Sequence, residues 1–263
     1  MSTWEDFEIQ CVNHLNEKFS DYARFTHQGG TDSTTADILV KTQKSKSFYV
    51  EAKHSPAQCG QFVLLPNLAT RTFQYSSLNA TDINQYSETI INYMNKDFDS
   101  FRNAGTAGKE IDIKNASDIF TGWIITTYKS KGVEFFITNG FFIFPIKDFA
   151  KYFDVTAKYR IKRSGSGDVG KSRFNTVMKY ICEKGYNIAN LRVSGNKMFL
   201  TSSEQLHNKR FILDGTEYMF SLRGNEFEIR KLSDTYNANV IFSVKLKDKP
   251  PHSENTEFIE YLR

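Results

Sequence analysis

Three ionisable residues in the stretch 31–66 are spaced so that they could hold a metal ion: Asp37, Glu51 and Lys53. Asp37 opens a short apolar run, Asp-Ile-Leu-Val. Glu51 and Lys53 end a second run, Phe-Tyr-Val-Glu-Ala-Lys, and a polar, lysine-rich turn lies between the two. Short β-branched and aromatic runs bounded by polar clusters predict a buried hairpin. Side chains at i and i+2 of a strand share a face, so Glu51 and Lys53 project together, and strand pairing can bring Asp37 beside them. Two carboxylates and an ammonium on one patch would hold a hard divalent cation through oxygen, with the lysine alongside. A cation so placed lowers the pKa of an attacking water and stabilises charge on phosphorus oxygens, which is phosphodiester chemistry. The same residues also fit an ion pair at a strand end, an arrangement of little energetic weight, so the spacing leaves both readings open.

Other elements must position this patch. Residues 3–20 read as a helix with Trp4, Phe7, Cys11, Leu15 and Phe19 along one face and Glu8 inside that stripe. A carboxylate in an apolar stripe either borders the face and reaches solvent or needs a partner or a metal, so Glu8 is a secondary site candidate. Gln58 and Gln61 follow the second strand, where an amide could orient a water, touch a phosphate or cap the next element. Residues 81–105 give the longest helical pattern, capped by Thr81 or Asp82 and stopped by Gly105, and an exposed connection over 102–116 follows. A helix over 117–131 ends at Gly132. Across 133–146, two apolar strands around Asn139-Gly140 predict a hairpin with a type I′ turn, able to join the sheet that carries the patch. A short helix over 147–153 and a strand over 155–161 come next.

Residues 156–173 hold Lys158, Arg160, Lys162, Arg163, Lys171 and Arg173 against one acid, Asp168. That is +5 in a chain of +4, so the positive field is local. A glycine-bearing basic loop can neutralise phosphates or read guanine edges, although charge runs are more often solvated loops. Lys158, Lys171 and Arg173 are expected to grip phosphates. Arg160, Lys162, Arg163 and Ser164 lie at the strand-to-glycine junction, where a side chain can enter a groove. Asn237 and Asn239, at a polar strand end, are the alternative readers. After a helix over 172–183 the chain is β-rich, with glycine turns between alternating strands that indicate an antiparallel sheet.

The strings DSTTADIL, FYVEAK, SPAQCGQFVLLPN, INQYSETI, KSKGVEFFIT, FFIFPIKDFAKYF, YRIKRSGS and NANVIFSVKL resemble, in order, the HhaI-type restriction endonucleases of the PD-(D/E)XK nuclease superfamily. The resemblance covers most of the chain and thins at 100–120 and 185–230. Two departures are visible: Ala36 stands where the motif name has proline, and the spacer from Asp37 to Glu51 is slightly longer.

The resemblance implies an α/β fold, a mixed sheet flanked by helices, with one or two added β-rich lobes that grip DNA. The expected division is a catalytic domain over 1–150 and a DNA-recognition region over 151–263. It implies a type II enzyme cutting double-stranded DNA, with GCGC as the suggested target and action as a monomer. The expected metal positions are Asp37, Glu51 and Ala52, with Lys53, Glu8 and Gln61 completing the catalytic set. Mg²⁺ is the expected cofactor, Mn²⁺ a substitute, and Ca²⁺ a support for binding without cleavage. A cytosine DNA methyltransferase is the expected functional partner. A repair or structure-specific nuclease of the same superfamily, or a DNA-binding protein that does not cut, are the alternatives.

Composition agrees. Across 263 residues, 40% hydrophobic with 14% aromatic content is enough to build cores and argues against disorder. No apolar run is long enough to span a membrane, and the segment MSTWEDFEIQ lacks a signal-peptide layout. Three scattered cysteines, Cys11, Cys59 and Cys182, lack zinc spacing and suggest a reducing cytoplasm. No G-x-x-x-x-G-K-[ST] phosphate loop is present, which argues against a nucleotide hydrolase.

Overall fold

The computed structural model describes residues 4–29, 35–163, 165–247 and 255–263. Contacts divide the chain into two compact units, 1–161 with 238–263, and 162–237. The boundary therefore falls later than residue 150, and the last segment returns to the first unit instead of extending the second. Elements are numbered in chain order.

In the first unit, one sheet has the order β1 (Ala23–His27), β2 (Ile38–Thr42), β3 (Ser47–Lys53), β7 (Val133–Thr138), β8 (Phe142–Pro145). The β2–β3 hairpin forms as the pattern predicts, with Ile38 opposite Val50. β3 then pairs in parallel with β7, Glu51 opposite Phe136. A parallel neighbour requires a crossover, and α2 (Gln85–Lys96), α3 (Phe98–Arg102) and α4 (Ala116–Ser130) lie on it.

The 133–146 hairpin is present, but its turn spans three residues, with Gly140 and Phe141 at φ of 70° and 58°. The turn is not the two-residue type I′, because Thr138 pairs with Phe142 and leaves three residues between the strands, the first being Asn139. Its Oδ1 accepts from Ser55 N at 2.7 Å and its Nδ2 donates to Ser55 O at 2.9 Å.

Alternation gives this sheet two buried faces. Val50, Ala52, Phe135 and Ile137 pack with Phe7, Cys11 and Leu15 of α1 (Trp4–Phe19) and with Phe258 and Leu262 of α7 (Thr256–Leu262). Trp4, expected on that face, is 57% exposed. Phe136 and Phe144 enter a second core with Phe62, Trp123 and Phe242. This core is shared with α2, α4 and a sheet ordered β5 (Thr72–Tyr75), β4 (Ala57–Asn67), β16 (Tyr236–Leu246), β9 (Phe153–Arg163), β6 (Lys109–Glu110). β6 lies in the segment expected to be an exposed connection. α5 (Phe149–Tyr152) precedes β9.

The long helical pattern over 81–105 is two helices broken at Asp97 (φ −126°, ψ 47°). Phe98 and Phe101 stay buried beyond the break, so the apolar stripe does not reveal it. The N-cap is Asn84, not Thr81 or Asp82. Its side chain accepts from Tyr86 N and Ser87 N, and the Ser87 hydroxyl accepts from Asn84 N.

The second unit is the antiparallel sheet expected: β11 (Ile188–Ser194), β12 (Lys197–Ser202), β15 (Glu226–Leu232), β14 (Thr216–Arg223), β13 (Arg210–Leu213), with β10 (Ser166–Asp168) also paired to β15. Val177 and Ile181 of α6 (Phe174–Glu183) pack on Met198, Leu200, Tyr218, Phe220 and Ile229. No described helix is long and apolar enough to cross a membrane.

The Asn84 cap gives a direct stability test. Asn84→Ala removes the acceptor for two otherwise unpaired amides and is expected to cost about 1 kcal/mol in urea unfolding. An unchanged midpoint would place the start of the helix elsewhere.

Candidate active site

Asp37 lies one residue before β2, and the amides of Gln28 and Gly29 donate to its carbonyl at 2.8 and 3.1 Å. Its Oδ2 accepts from Ala52 N at 2.9 Å and from Lys53 Nζ at 3.4 Å. Lys53 Nζ lies 2.5 Å from Glu51 Oε1 and donates to Ala52 O at 3.1 Å. The side chains of Asp37, Glu51 and Lys53 are only 13%, 5% and 14% exposed, so this is not a surface ion pair. The end of β3 is pinned as well: Thr138 Oγ1 donates to Lys53 O at 2.6 Å, and Leu246 N donates to Ser55 Oγ at 2.7 Å.

Burial raises the Glu51 carboxyl to about 7, Lys53 opposing the shift and Asp37 adding to it. Burial pulls the Lys53 ammonium down, but Glu51 and Asp37 more than offset that, and its pKa lies above the ordinary lysine value. The cluster lines a cleft of about 520 Å³ together with Gln58, Gln61, Trp123, Thr127, Tyr128 and Lys131.

Glu8 is buried and pairs with His27 Nε2 at 2.8 Å, so it does not simply border the helix face and reach solvent. Burial raises its pKa, the His27 hydrogen bond opposes that, and the Asp37 charge adds to it, which puts Glu8 electrostatically in touch with the site. A Cβ at Gly29 would meet the Glu8 carboxylate, so a side chain there would have to displace it. Gln61 lines the cleft with its Oε1 accepting from Gln58 Nε2 and Asn239 Nδ2, both at 3.2 Å. Asn239, a candidate base reader, is a buried residue of the first unit. Asn237 is exposed at the edge of the second.

The basic stretch is not one loop. β9 continues to Arg163 because Phe153, Val155, Ala157 and Tyr159 all turn inward, leaving Lys158 and Arg160 on the outward alternation. Arg163 is tied to Glu217 and to the Tyr236 hydroxyl, and Arg173 to Asp214 at 2.9 Å and the Tyr218 hydroxyl at 3.4 Å. Lys162 and Lys171 are exposed, and Ser164 lies outside the described residues.

Trp123, Thr127, Tyr128 and Lys131 line the cleft and His27 pairs with Glu8, positions to which no motif in the sequence points. His27 shares the inward parity of Ala23 and Phe25, a signal that reads as core.

The donors present suit a hard cation: two carboxylates and the Ala52 carbonyl, all oxygen. Among the described residues no group of three His, Cys, Asp or Glu side chains could hold a metal. A set of one or two carboxylates with water and substrate oxygens is the way Mg²⁺ is bound.

A cation at Glu51 requires the carboxylate, whose proton is released near pH 7. Ca²⁺ affinity measured by calorimetry should therefore climb from about pH 6 and flatten by about pH 8, with proton uptake by the buffer at the lower end. An affinity independent of pH over that range would overturn the raised Glu51 carboxyl as the group that gates cation binding.

No family model matches the chain, nor does any curated protein. A solved structure, HhaI endonuclease in complex with DNA, superposes on it with a TM-score of 0.75 and 37% identity, covering 99% of this chain and 99% of that one. With that identity over the length of both, the chain belongs to the HhaI-type restriction endonuclease family.

Proposed function

We propose that the chain is a Mg²⁺-dependent type II endonuclease that hydrolyses double-stranded DNA at GCGC, acting as a cytoplasmic monomer beside a cytosine methyltransferase that protects the same sites. The observation that carries the chemistry is the buried convergence of Asp37, Glu51 and Lys53 in one cleft.

Asp37, Glu51 and the Ala52 carbonyl would hold the ion. When bound, it supplies Lewis acidity toward the phosphate and an acidified water. Lys53 keeps its positive charge beside the attacking water and the reacting phosphoryl oxygens, and Asp37 orients it. Gln61, fixed by Gln58 and Asn239, presents an amide to the cleft, and Glu8 adds negative charge behind Asp37.

The grip on the duplex is assigned to cations outside the cleft. The second unit has thirteen basic against eight acidic residues, a net of +5 in a chain of +4. Exposed Lys162 and Lys171 and outward Lys158 and Arg160 support phosphate contacts. Arg163 and Arg173 would reach DNA only with the N–H groups that Glu217 and Asp214 leave available.

Plasmid incubation tests the reading. Mg²⁺ or Mn²⁺ should give discrete, EDTA-sensitive fragments with ends within GCGC, and Ca²⁺ should give binding without cleavage. Smears or junction-limited cuts would indicate a repair or structure-specific nuclease; a gel shift with no cutting would indicate a binder. Asp37→Ala, Glu51→Ala and Lys53→Ala should each abolish cleavage, and Lys53→Ala should keep sequence-specific binding. A normal rate in any of the three would overturn the assignment. Glu8→Gln should slow cleavage strongly at limiting Mg²⁺ while the fold persists. An unchanged rate would leave Glu8 as a structural partner of His27.

A further inference from the structure

Helix α4 and its C-cap turn one line of side chains toward the cleft: Trp123, Thr127 and Lys131, at i, i+4 and i+8. Four buried side-chain polar atoms among the described residues have no hydrogen-bond partner within the protein, and three are on this helix: Thr121 Oγ1, Trp123 Nε1 and Thr127 Oγ1. Trp123 and Thr127 line the cleft. Thr121, two positions from Trp123, points to another side of the helix and does not.

Leaving a buried polar group unpaired costs stability, and a threonine within a helix usually spends its hydroxyl on the carbonyl four residues back. Thr127 does not. Trp123 is held rigidly, stacked on Phe242 at 4.3 Å between centroids, with Gly60 against its edge, where a Cβ would lie 2.7 Å from the ring. Lys131 Nζ sits 5.3 Å from the Tyr128 ring centroid, and its charge favours the ionised form of Glu51, so it acts within the site. Two carboxylates in the cleft would repel a phosphate, and the Lys131 ammonium, together with the cation they would hold, supplies the positive charge that lets one enter.

We propose that Lys131, at the end of this line, pairs with a backbone phosphate of the strand being cut, and that Thr127, turning its buried hydroxyl toward the cleft when DNA enters, donates a hydrogen bond to the same phosphate. The assignment rests on the nuclease reading above.

Its test uses the full chain with Lys131→Met, Lys131→Arg, Thr127→Val and, as a control, Thr121→Val. Duplex binding is followed in Ca²⁺ across a salt series, cleavage in Mg²⁺, and stability by urea unfolding. Lys131→Met should weaken cognate and scrambled duplexes alike and reduce the slope of log K against log salt by about one, with Lys131→Arg restoring it. Thr127→Val should lower kcat/KM about ten-fold, the weight of a hydrogen bond to a charged group, while stability equals or exceeds wild type. Thr121→Val should leave kcat/KM unchanged.

An unchanged salt slope in Lys131→Met overturns the proposal, as does wild-type kcat/KM in Thr127→Val. A wild type that binds duplex but does not cut defeats the nuclease reading, and the salt slope still judges Lys131. One that neither binds nor cuts defeats both.

Discussion

The structure depends on keeping an ammonium and two carboxylates together out of water. Lys53, Glu51 and Asp37 would each lose hydration free energy if buried separately, and only their mutual proximity makes the arrangement tenable. The strand carrying two of them is accordingly the central strand of its sheet, flanked by β2 and β7. Asp37 is fixed by the Ala52 amide in addition to Lys53, which makes its position a property of the backbone. One residue of slip in the β2–β3 register would send Glu51 and Lys53 to the opposite face, among Phe7 and Leu15. The apolar parity of β3, with Val50 and Ala52 buried against α1 and α7, therefore sets where the charges go.

That constraint reaches far along the sequence. The peptide after Lys53 is held by Asn139 at the end of β7 and by Leu246 N at the end of β16, so residues remote in the chain close the strand bearing the site. β16 can do this because the chain leaves the first unit at 161 and re-enters at 238. The second unit is thus inserted between β9 and β16, neighbours in one sheet. It has its own core around Phe211, Tyr218 and Phe220.

The legible parts of the sequence were those fixed by local pattern. The β2–β3 hairpin, the helix ending at Gly132, the 133–146 strands and the antiparallel strands after 185 follow from periodicity and turn residues, and Asp37, Glu51 and Lys53 follow from strand parity. Family strings supplied what parity could not, the identity of the chemistry. Other features depend on partners distant in sequence and carry no local signal. Asn139 lies in the turn that its sequence suggests, and its amide in addition holds Ser55, which nothing local signals. Arg163 was read as facing a groove, but Glu217 and Tyr236 hold it. The strand of Val240 and Phe242 was read with the later sheet, but it completes the earlier core. The break at Asp97 is silent because burial continues through it.

The departures from local rules collect around the cleft. In α4, Phe120 and Ile124 are buried as a core helix requires, and Thr121 Oγ1, away from the cleft, is buried without a partner. At Trp123 and Thr127 the same helix buries polar atoms with no partner in the protein. Nearby, the buried Cys59 thiol, pushed up to about 12 by desolvation, and the buried Tyr128 phenol pair with each other, unlike Trp123 Nε1 and Thr127 Oγ1. A core selected for stability alone would place apolar groups at such positions, as isosteric replacement of an unpaired buried polar group is neutral or favourable. Two of the four unpaired buried atoms among the described residues belong to residues that line the cleft with Glu51 and Lys53, where the fold gives up stability for polar groups. The cleft combines polar atoms that are unpaired within the protein with charges that are tightly fixed. An enzyme that holds a phosphodiester against a metal ion needs both: groups waiting for the substrate, and a framework that does not relax to satisfy them in its absence.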